Sequence, residues 1–385
     1  MQKYAHAEAR AIFANALDIL DGVAPTDAVV RQTLDTVVKY TTVSFAAVSP
    51  QEHLMRLGAA ETLGRPLANS GDRDDLLRLA RLDFWIGRAR HYRNDLREAI
   101  ERYERVAKTA EEQVAPELTS MSTAMIGRAQ CLQGFFPAAE ERLRQALPLL
   151  EDQQNWGEYI WARGFLGLAR AARGAYAEGL AHATEALDLS KRLKFGTGIA
   201  ASQILLWGVH LQGRDAQAML QHAGVVQSIA NQAGDRMYVY LAHGMLSWAH
   251  YLLGDLQLAR EEIALSKEVR AQLGSHGLIT DWFEALEAEI LADAGEQVAA
   301  VAQAERALAI AGHSDGVYAR GIAYRALGTA LAAADAPDWS RVNEVFGQSV
   351  DTLAIGDAQL QQARTYEKWD ETLKRAGRDR SEFGT

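Results

Sequence analysis

Arg88 and Arg128 stand 40 residues apart, and Trp207 and Trp248 stand 41 apart. Brought together, the two guanidinium groups would offer charge-assisted hydrogen bonds to a carboxylate or phosphate. The indoles would offer flat apolar faces with a polar tip. Other residues invite catalytic or metal readings. His243 and His250, seven apart, fall on one face of a helix as metal ligands do, but no HExxH pattern or companion carboxylate completes a site. Cys131, the sole cysteine, has a nucleophile's chemistry, yet nothing in the sequence orients a base against it. Gly196-Thr197-Gly198 has no strand before it and reads as a turn, not a dinucleotide loop, and no GxxxxGK[ST] phosphate loop occurs. The expectation is a chain with no catalytic residue, no metal and no cofactor, whose chemistry is recognition.

Composition points to helices as the elements that hold these residues. Only 7 prolines occur in 385 residues, among many Ala, Leu, Glu and Arg, which lose little side-chain freedom in a helix. The formal charge of −10 disfavours a sequence-independent hold on nucleic acid or anionic lipid, so neither is expected as a partner. A single cysteine fits a reducing compartment. No run of eighteen apolar residues occurs, and MQKYAHAEARAIFANAL mixes charge with helix formers, so a soluble cytoplasmic protein is expected.

A repeat organises the helices. Breaks after successive helical stretches fall at Asn94, Gly134, Gly174, Gly213, Gly254, Gly295 and Asp335, at spacings of 40, 40, 39, 41, 41 and 40. Gly, Asn and Asp enter the left-handed conformation most cheaply, so each break reads as a helix end and chain reversal. Five residues after the breaks stand Ala99, Ala139, Gly179, Ala218, Ala259, Ala300 and Ser340; seven before them stand Gly87, Gly127, Gly167, Leu206, Ser247, Ala288 and Gly328. All of these except Leu206 are small, and a small residue on each arm of a helical hairpin lets the two backbones approach closely. A second set, Gly196, Gly234, Gly274, Gly312 and Gly356, falls where the second helix of each unit should end. Such a hairpin cannot bury both apolar faces alone, so the units must stack into a solenoid.

The spacing of small residues in GRAQCLQGFFPAAEERLRQAL and GLARAARGAYAEGLAHATEAL resembles the tetratricopeptide repeat (TPR), with Gly127, Gly134, Ala139 and Ala146, then Gly167, Gly174, Gly179 and Ala186, at its signature positions. The period near 40 exceeds the usual 34. In this it resembles the long-repeat version in the sensor region of the maltose-operon activator and the C-terminal regions of bacterial adenylate/guanylate cyclase-like signalling ATPases. The resemblance implies an all-α, TPR-like right-handed superhelix, an α-solenoid of about seven regular hairpins over 76–376. Degenerate repeats are expected over 1–75, with a turn near Ser49-Pro50, and AQLQQARTYEKWDETLKRAG is expected as a capping helix. Residues 1–376 would form one superhelix and 377–385 a disordered tail. The chain would be a sensor region of a longer protein or a free-standing relative.

In arrays of this kind the first helix of each unit faces the concave groove, and the positions one and four residues after the small site point into it. Carried onto this sequence, the resemblance puts Arg88, His91, Arg128, Trp207, His210, Trp248 and Tyr251 in that groove, with Trp161 and Trp282 nearer the helix starts. One end of the groove would be basic and the middle aromatic. Gly164 and Gly244 would leave room for a ligand or a neighbouring Trp. The first functional reading is a non-catalytic scaffold in bacterial signalling that binds a protein or peptide segment in the groove. The alternative is a small-molecule-sensing region controlling a cyclase, ATPase or transcription output domain. Self-association stays open.

Overall fold

The computed structural model describes residues 2–45, 47–274 and 277–383, and every element among them is helical. Three helices, α1 (Gln2–Asp21), α2 (Asp27–Ser44) and α3 (Pro50–Gly64), precede seven hairpins. The hairpins are α4 (Arg73–Tyr92) with α5 (Leu96–Glu112), α6 (Pro116–Gln133) with α7 (Phe136–Asp152), α8 (Trp156–Ala172) with α9 (Tyr176–Arg192), and α10 (Gly196–Gly213) with α11 (Ala216–Ala233). They continue as α12 (Arg236–Leu252) with α13 (Leu256–Gln272), α14 (Thr280–Asp293) with α15 (Gln297–Ser314), and α16 (Val317–Ala332) with α17 (Trp339–Ile355); α18 (Gln359–Arg375) follows. This is the TPR-like helical solenoid expected from the repeat.

Local chemistry sets the helix starts. Asp215, Asp235, Asp255 and Asp338 each accept a backbone N–H at an N-cap, and Pro50 and Pro116 occupy first turns, where a missing N–H costs nothing. The second helices are one-sided: α5 buries Leu96, Ala99, Tyr103, Val106 and Ala110, spaced three, four, three and four apart. First helices such as α6 and α10 are buried nearly all round, because they form an inner layer with helices on both sides.

Helix pairing depends on the small residues. A Cβ on Gly87 would stand 2.8 Å from Cε1 of Tyr103, and one on Gly167 would stand 2.5 Å from the carbonyl oxygen of Gly179. Gly87 is therefore kept, at a helix cost of roughly 1 kcal/mol against alanine, to seat the buried Tyr103 ring.

The turns depart from expectation in detail. Asn94, Gly134, Gly174, Gly254 and Gly295 do take positive φ, but α10 runs through Gly213 and the left-handed residue is Arg214. No positive φ occurs at Asp335, where a longer connection precedes α17. Of the second glycine set only Gly234 and Gly274 are left-handed; Val114, Gln154, Lys194, Asp315 and Asp357 hold that role elsewhere. Gly196 opens α10, and so Gly196-Thr197-Gly198 is a helix start. Part of the tail expected to be disordered is a 3-10 turn, Arg380–Phe383, tied back by an Arg380–Asp370 ion pair of 2.7 Å. Gly384 and Thr385 lie outside the described residues.

The superhelix then closes on itself. Helix α5 touches α15, α6 touches α16 and α8 touches α18. The junction uses helix ends. The last carbonyls of a helix have no partner within it, and here side chains of the opposite arm supply one. Trp282 Nε1 donates to Leu132 O at 2.9 Å, Gln133 Nε2 to Ser314 O at 2.7 Å, and Arg364 Nη2 to Leu211 O and Gln212 O at 2.6 Å each. Each arm caps the other.

Candidate functional site

The closed superhelix has an interior, and most of the groove residues expected from sequence converge there. A row of rings crosses it. Trp207 and Trp248 are 6.0 Å apart between centroids, Trp248 and Trp282 6.3 Å, and Trp282 and Tyr318 4.2 Å. Trp207, Trp248 and Trp282 are at most 2% exposed, and Trp207 Nε1 donates to Met245 O at 3.1 Å. The Tyr318 hydroxyl accepts from Gln212 Nε2 at 3.0 Å and Gln361 Nε2 at 2.8 Å, so the row ends in a satisfied polar hub.

Trp207 and Trp282 line a narrow apolar slot of about 40 Å³, together with His91, Arg128, Trp161 and Phe165. Trp248 and Tyr251 line a separate, wider polar chamber of about 420 Å³, with Glu289 and Arg325. The ring row thus stands between the two cavities.

At the slot, Arg128 lies over the Trp161 ring at 4.8 Å and gives a 2.7 Å hydrogen bond from Nη1 to Glu158 Oε2. Arg88 Nη1 donates to the other oxygen of the same carboxylate at 2.8 Å. Both guanidinium groups expected at a basic end are therefore held on Glu158. Burial would raise the Glu158 carboxyl, but the two arginines more than offset it and hold it below the usual carboxylate range. Burial, then Arg128 and Arg88, push His91 well below the usual imidazole value; it is neutral, with Nδ1 unpartnered.

His210 departs from the expected arrangement. It points to the outer layer, with Nδ1 2.9 Å from the Tyr176 hydroxyl on α9 and its ring stacked on His222 of α11. Gly164 and Gly244 make room for neither ligand nor tryptophan: Leu205 and Phe283 of the next inner helix fill those spaces, reaching within 2.4 and 2.2 Å of a Cβ placed there. Cys131 is fully buried against Phe165 O at 3.8 Å, and burial pushes its thiol up, far from thiolate character. His243 is taken by Glu262 at 2.6 Å. Among the described residues no three His, Cys, Asp or Glu side chains converge as metal ligands, and no helix is long and apolar enough to cross a membrane.

Several interior residues were not anticipated. Glu158 sits in the first turn of α8, ahead of the counted groove positions. Gln361 and Arg364 lie on α18, which reads in sequence as a solvating cap. Arg325 stands three residues before Gly328, a register that the groove count skipped.

Helical hairpins stacked in an inner and an outer layer, and wound so that the two arms meet, form the fold of a TPR-type protein. No family model matches the chain, and no curated relative does. Solved structures with this fold are similar to it. The Rap protein complexed with Competence and Sporulation Factor matches at a TM-score of 0.58 and 12% identity, over 89% of this chain and 99% of that one. The Rap conjugation gene regulator of plasmid pLS20, in complex with the Phr* peptide, matches at 0.52 and 12%, over 88% and 97%. The apo form of RapI matches at 0.52 and 12%, over 73% and 98%.

Proposed function

We propose that this chain is a non-catalytic binding scaffold, regulatory in role, that takes a short peptide segment into the interior of its superhelix. The carrying observation is the polar chamber of about 420 Å³, walled by Trp248 and Tyr251 on one side and charged side chains on the other. Its size lies within the roughly 300–1,000 Å³ typical of ligand pockets. The similar Rap structures solved with Competence and Sporulation Factor and with the Phr* peptide support a peptide over a folded domain as the partner. Because the chamber is bounded by both arms, a ligand touching both would favour the closed form over any opened one.

A second reading, small-molecule sensing, is favoured by the slot, whose narrowness and apolar walls of Trp161, Trp207 and Trp282 suit a compact ligand better than a chain segment. Thermal shift of the whole chain against a pool of short peptides and, separately, a metabolite panel discriminates the two. A ligand at 100 times its dissociation constant adds about 2.7 kcal/mol of stability. Stabilisation by peptides, weakened in Trp248→Ala, is the expected result. Stabilisation by metabolites alone, weakened in Trp207→Ala, would replace the first reading with the second.

A further inference from the structure

We infer that the polar chamber is a carboxylate site anchored by Arg364, taking a ligand whose free carboxylate stands next to an apolar or aromatic group. The inference rests on the reading that the interior receives a ligand, and adds its chemical class.

Charge pairing within the chamber wall singles out one residue. Arg325 pairs with Glu289 at 2.6 Å, Lys368 with Asp293 at 2.5 Å, Arg214 with Glu367 at 3.3 Å and Arg375 with Glu371 at 3.8 Å. These four cations and four acids all line the chamber, and the fifth cation there is Arg364. Among the described residues Arg364 has no carboxylate partner. A half-buried charge without a counter-ion is unusual for a protein wall, and the single missing charge is that of a monoanion.

The geometry of Arg364 suits a ligand-facing role. Its Nη2 donates to the last carbonyls of α10, Leu211 O and Gln212 O, which fixes the guanidinium plane against a helix C-terminus. This cap accounts for one nitrogen. Nη1 and Nε make no hydrogen bond to the described chain, and neither is among the buried atoms lacking a partner. They are the donors left to the chamber, and a carboxylate oxygen accepting from Nη1 would complete the set. Burial, together with the neighbouring Arg325 and Arg214 charges, pushes Arg364 down to about 10, an electrostatic cost that an arriving anion relieves.

The same chamber also has an apolar part. Trp248, Leu252, Leu256 and the Tyr251 ring line the same chamber, so the group next to the carboxylate meets an apolar, partly aromatic surface. Two sources carry that chemistry, the C-terminus of a peptide with an apolar last residue and a free aryl-alkanoic acid.

The test titrates the full chain with N-acetyl-Ala-Phe as free acid, its C-terminal amide, 3-phenylpropionate and inorganic phosphate, by calorimetry and tryptophan fluorescence. The expected result is binding of the free acid at least tenfold tighter than the amide, weakening with added salt, and lost at least tenfold in Arg364→Gln but less in Arg364→Lys. Equal affinity of 3-phenylpropionate and the dipeptide acid assigns a free acid as the source; preference for the dipeptide assigns a peptide end. Equal binding of acid and amide, phosphate competing as well as carboxylate, an Arg364→Gln chain that binds like wild type, or no binding of any probe at millimolar concentration would each overturn the inference. Should Arg364→Gln fail to fold, the acid and amide comparison on the unmodified chain decides alone. A longer peptide that binds equally with a free or amidated end would sink the carboxylate site while leaving peptide binding standing.

Discussion

The indole of Trp282 reaches across 150 residues of sequence to the carbonyl of Leu132, 2.9 Å away, and so closes the superhelix through an atom its own helix leaves unpaired. Leu132 lies in the last turn of α6, and Trp282, in the first turn of α14, is 1% exposed. Trp282→Phe keeps most of the packing but strands the carbonyl, at an expected cost of about 1–3 kcal/mol. Trp282→Ala adds a cavity, for about 3–5 kcal/mol, and should enlarge the radius of gyration in solution scattering. Urea midpoints for both variants within ~0.5 kcal/mol of wild type would mean the closure contributes nothing.

Gly134 separates the conformational demand of a turn from that of the closure. Its φ is +94°, and a Cβ there would stand 2.6 Å from Tyr318 Cβ and 2.8 Å from Tyr318 N. Gly254 occupies the equivalent turn at φ +81° with nothing within 4 Å. Gly254→Ala should therefore cost only the left-handed strain, about 1 kcal/mol. Gly134→Ala must in addition push α16 away from α6, and should cost clearly more by chemical denaturation. Equal losses would show that the arms are free to separate.

These two glycines also mark what the sequence makes legible. Both were visible as helix ends, because a left-handed residue and a small partner five positions on are local signals. The Gly87 and Tyr103 contact is of the same kind: neighbouring helices, 16 positions apart in the sequence. The closure is not local. Gln133 meets Ser314 across 181 residues, and no period of 40 encodes which arms meet. The left-handed Val114, Gln154 and Lys194 were hidden for a different reason: hairpin packing fixes where the second helices end, and overrides a local preference worth roughly 1–2 kcal/mol. In the interior, Arg88 and Arg128 were found as a pair by position, but the Glu158 that joins them was not, because charge partners at the start of a helix fall outside a groove count. Arg364 was missed because α18, read as a terminal cap, was assigned no inward face.

The hub at Tyr318 should matter more than the ion pair at the rim. Its hydroxyl accepts from both Gln212 and Gln361 in a fully buried setting, so Tyr318→Phe leaves two amide groups short of a partner, at about 1–3 kcal/mol each. Arg173 and Asp357 also join the arms, at 2.6 Å, but their side chains are 29% and 31% exposed, where a pair contributes about 0.2–1 kcal/mol. Thermal or urea unfolding should rank Tyr318→Phe well below Asp357→Ala in stability. The reverse order would place the closing energy at the rim instead of the ring row.

Glu158 gives the interior a dependence on acid. Its carboxyl is held below its ordinary value by Arg88 and Arg128 despite burial, so ionisation is more favourable in the folded chain than in the unfolded one. The stability this supplies is present above the unfolded value near ~4.3, and is lost as pH falls through the lower folded value. At pH 7, Glu158→Gln removes the one carboxylate that both buried guanidinium groups share, and should cost about 3–5 kcal/mol. Below pH 4 the wild-type carboxylate is itself lost progressively, so the gap between wild type and Glu158→Gln should narrow. Unfolding free energies measured for both chains from pH 7 to pH 3 test this directly. A gap that stays constant across the range would mean that the two arginines are neutralised by something other than Glu158.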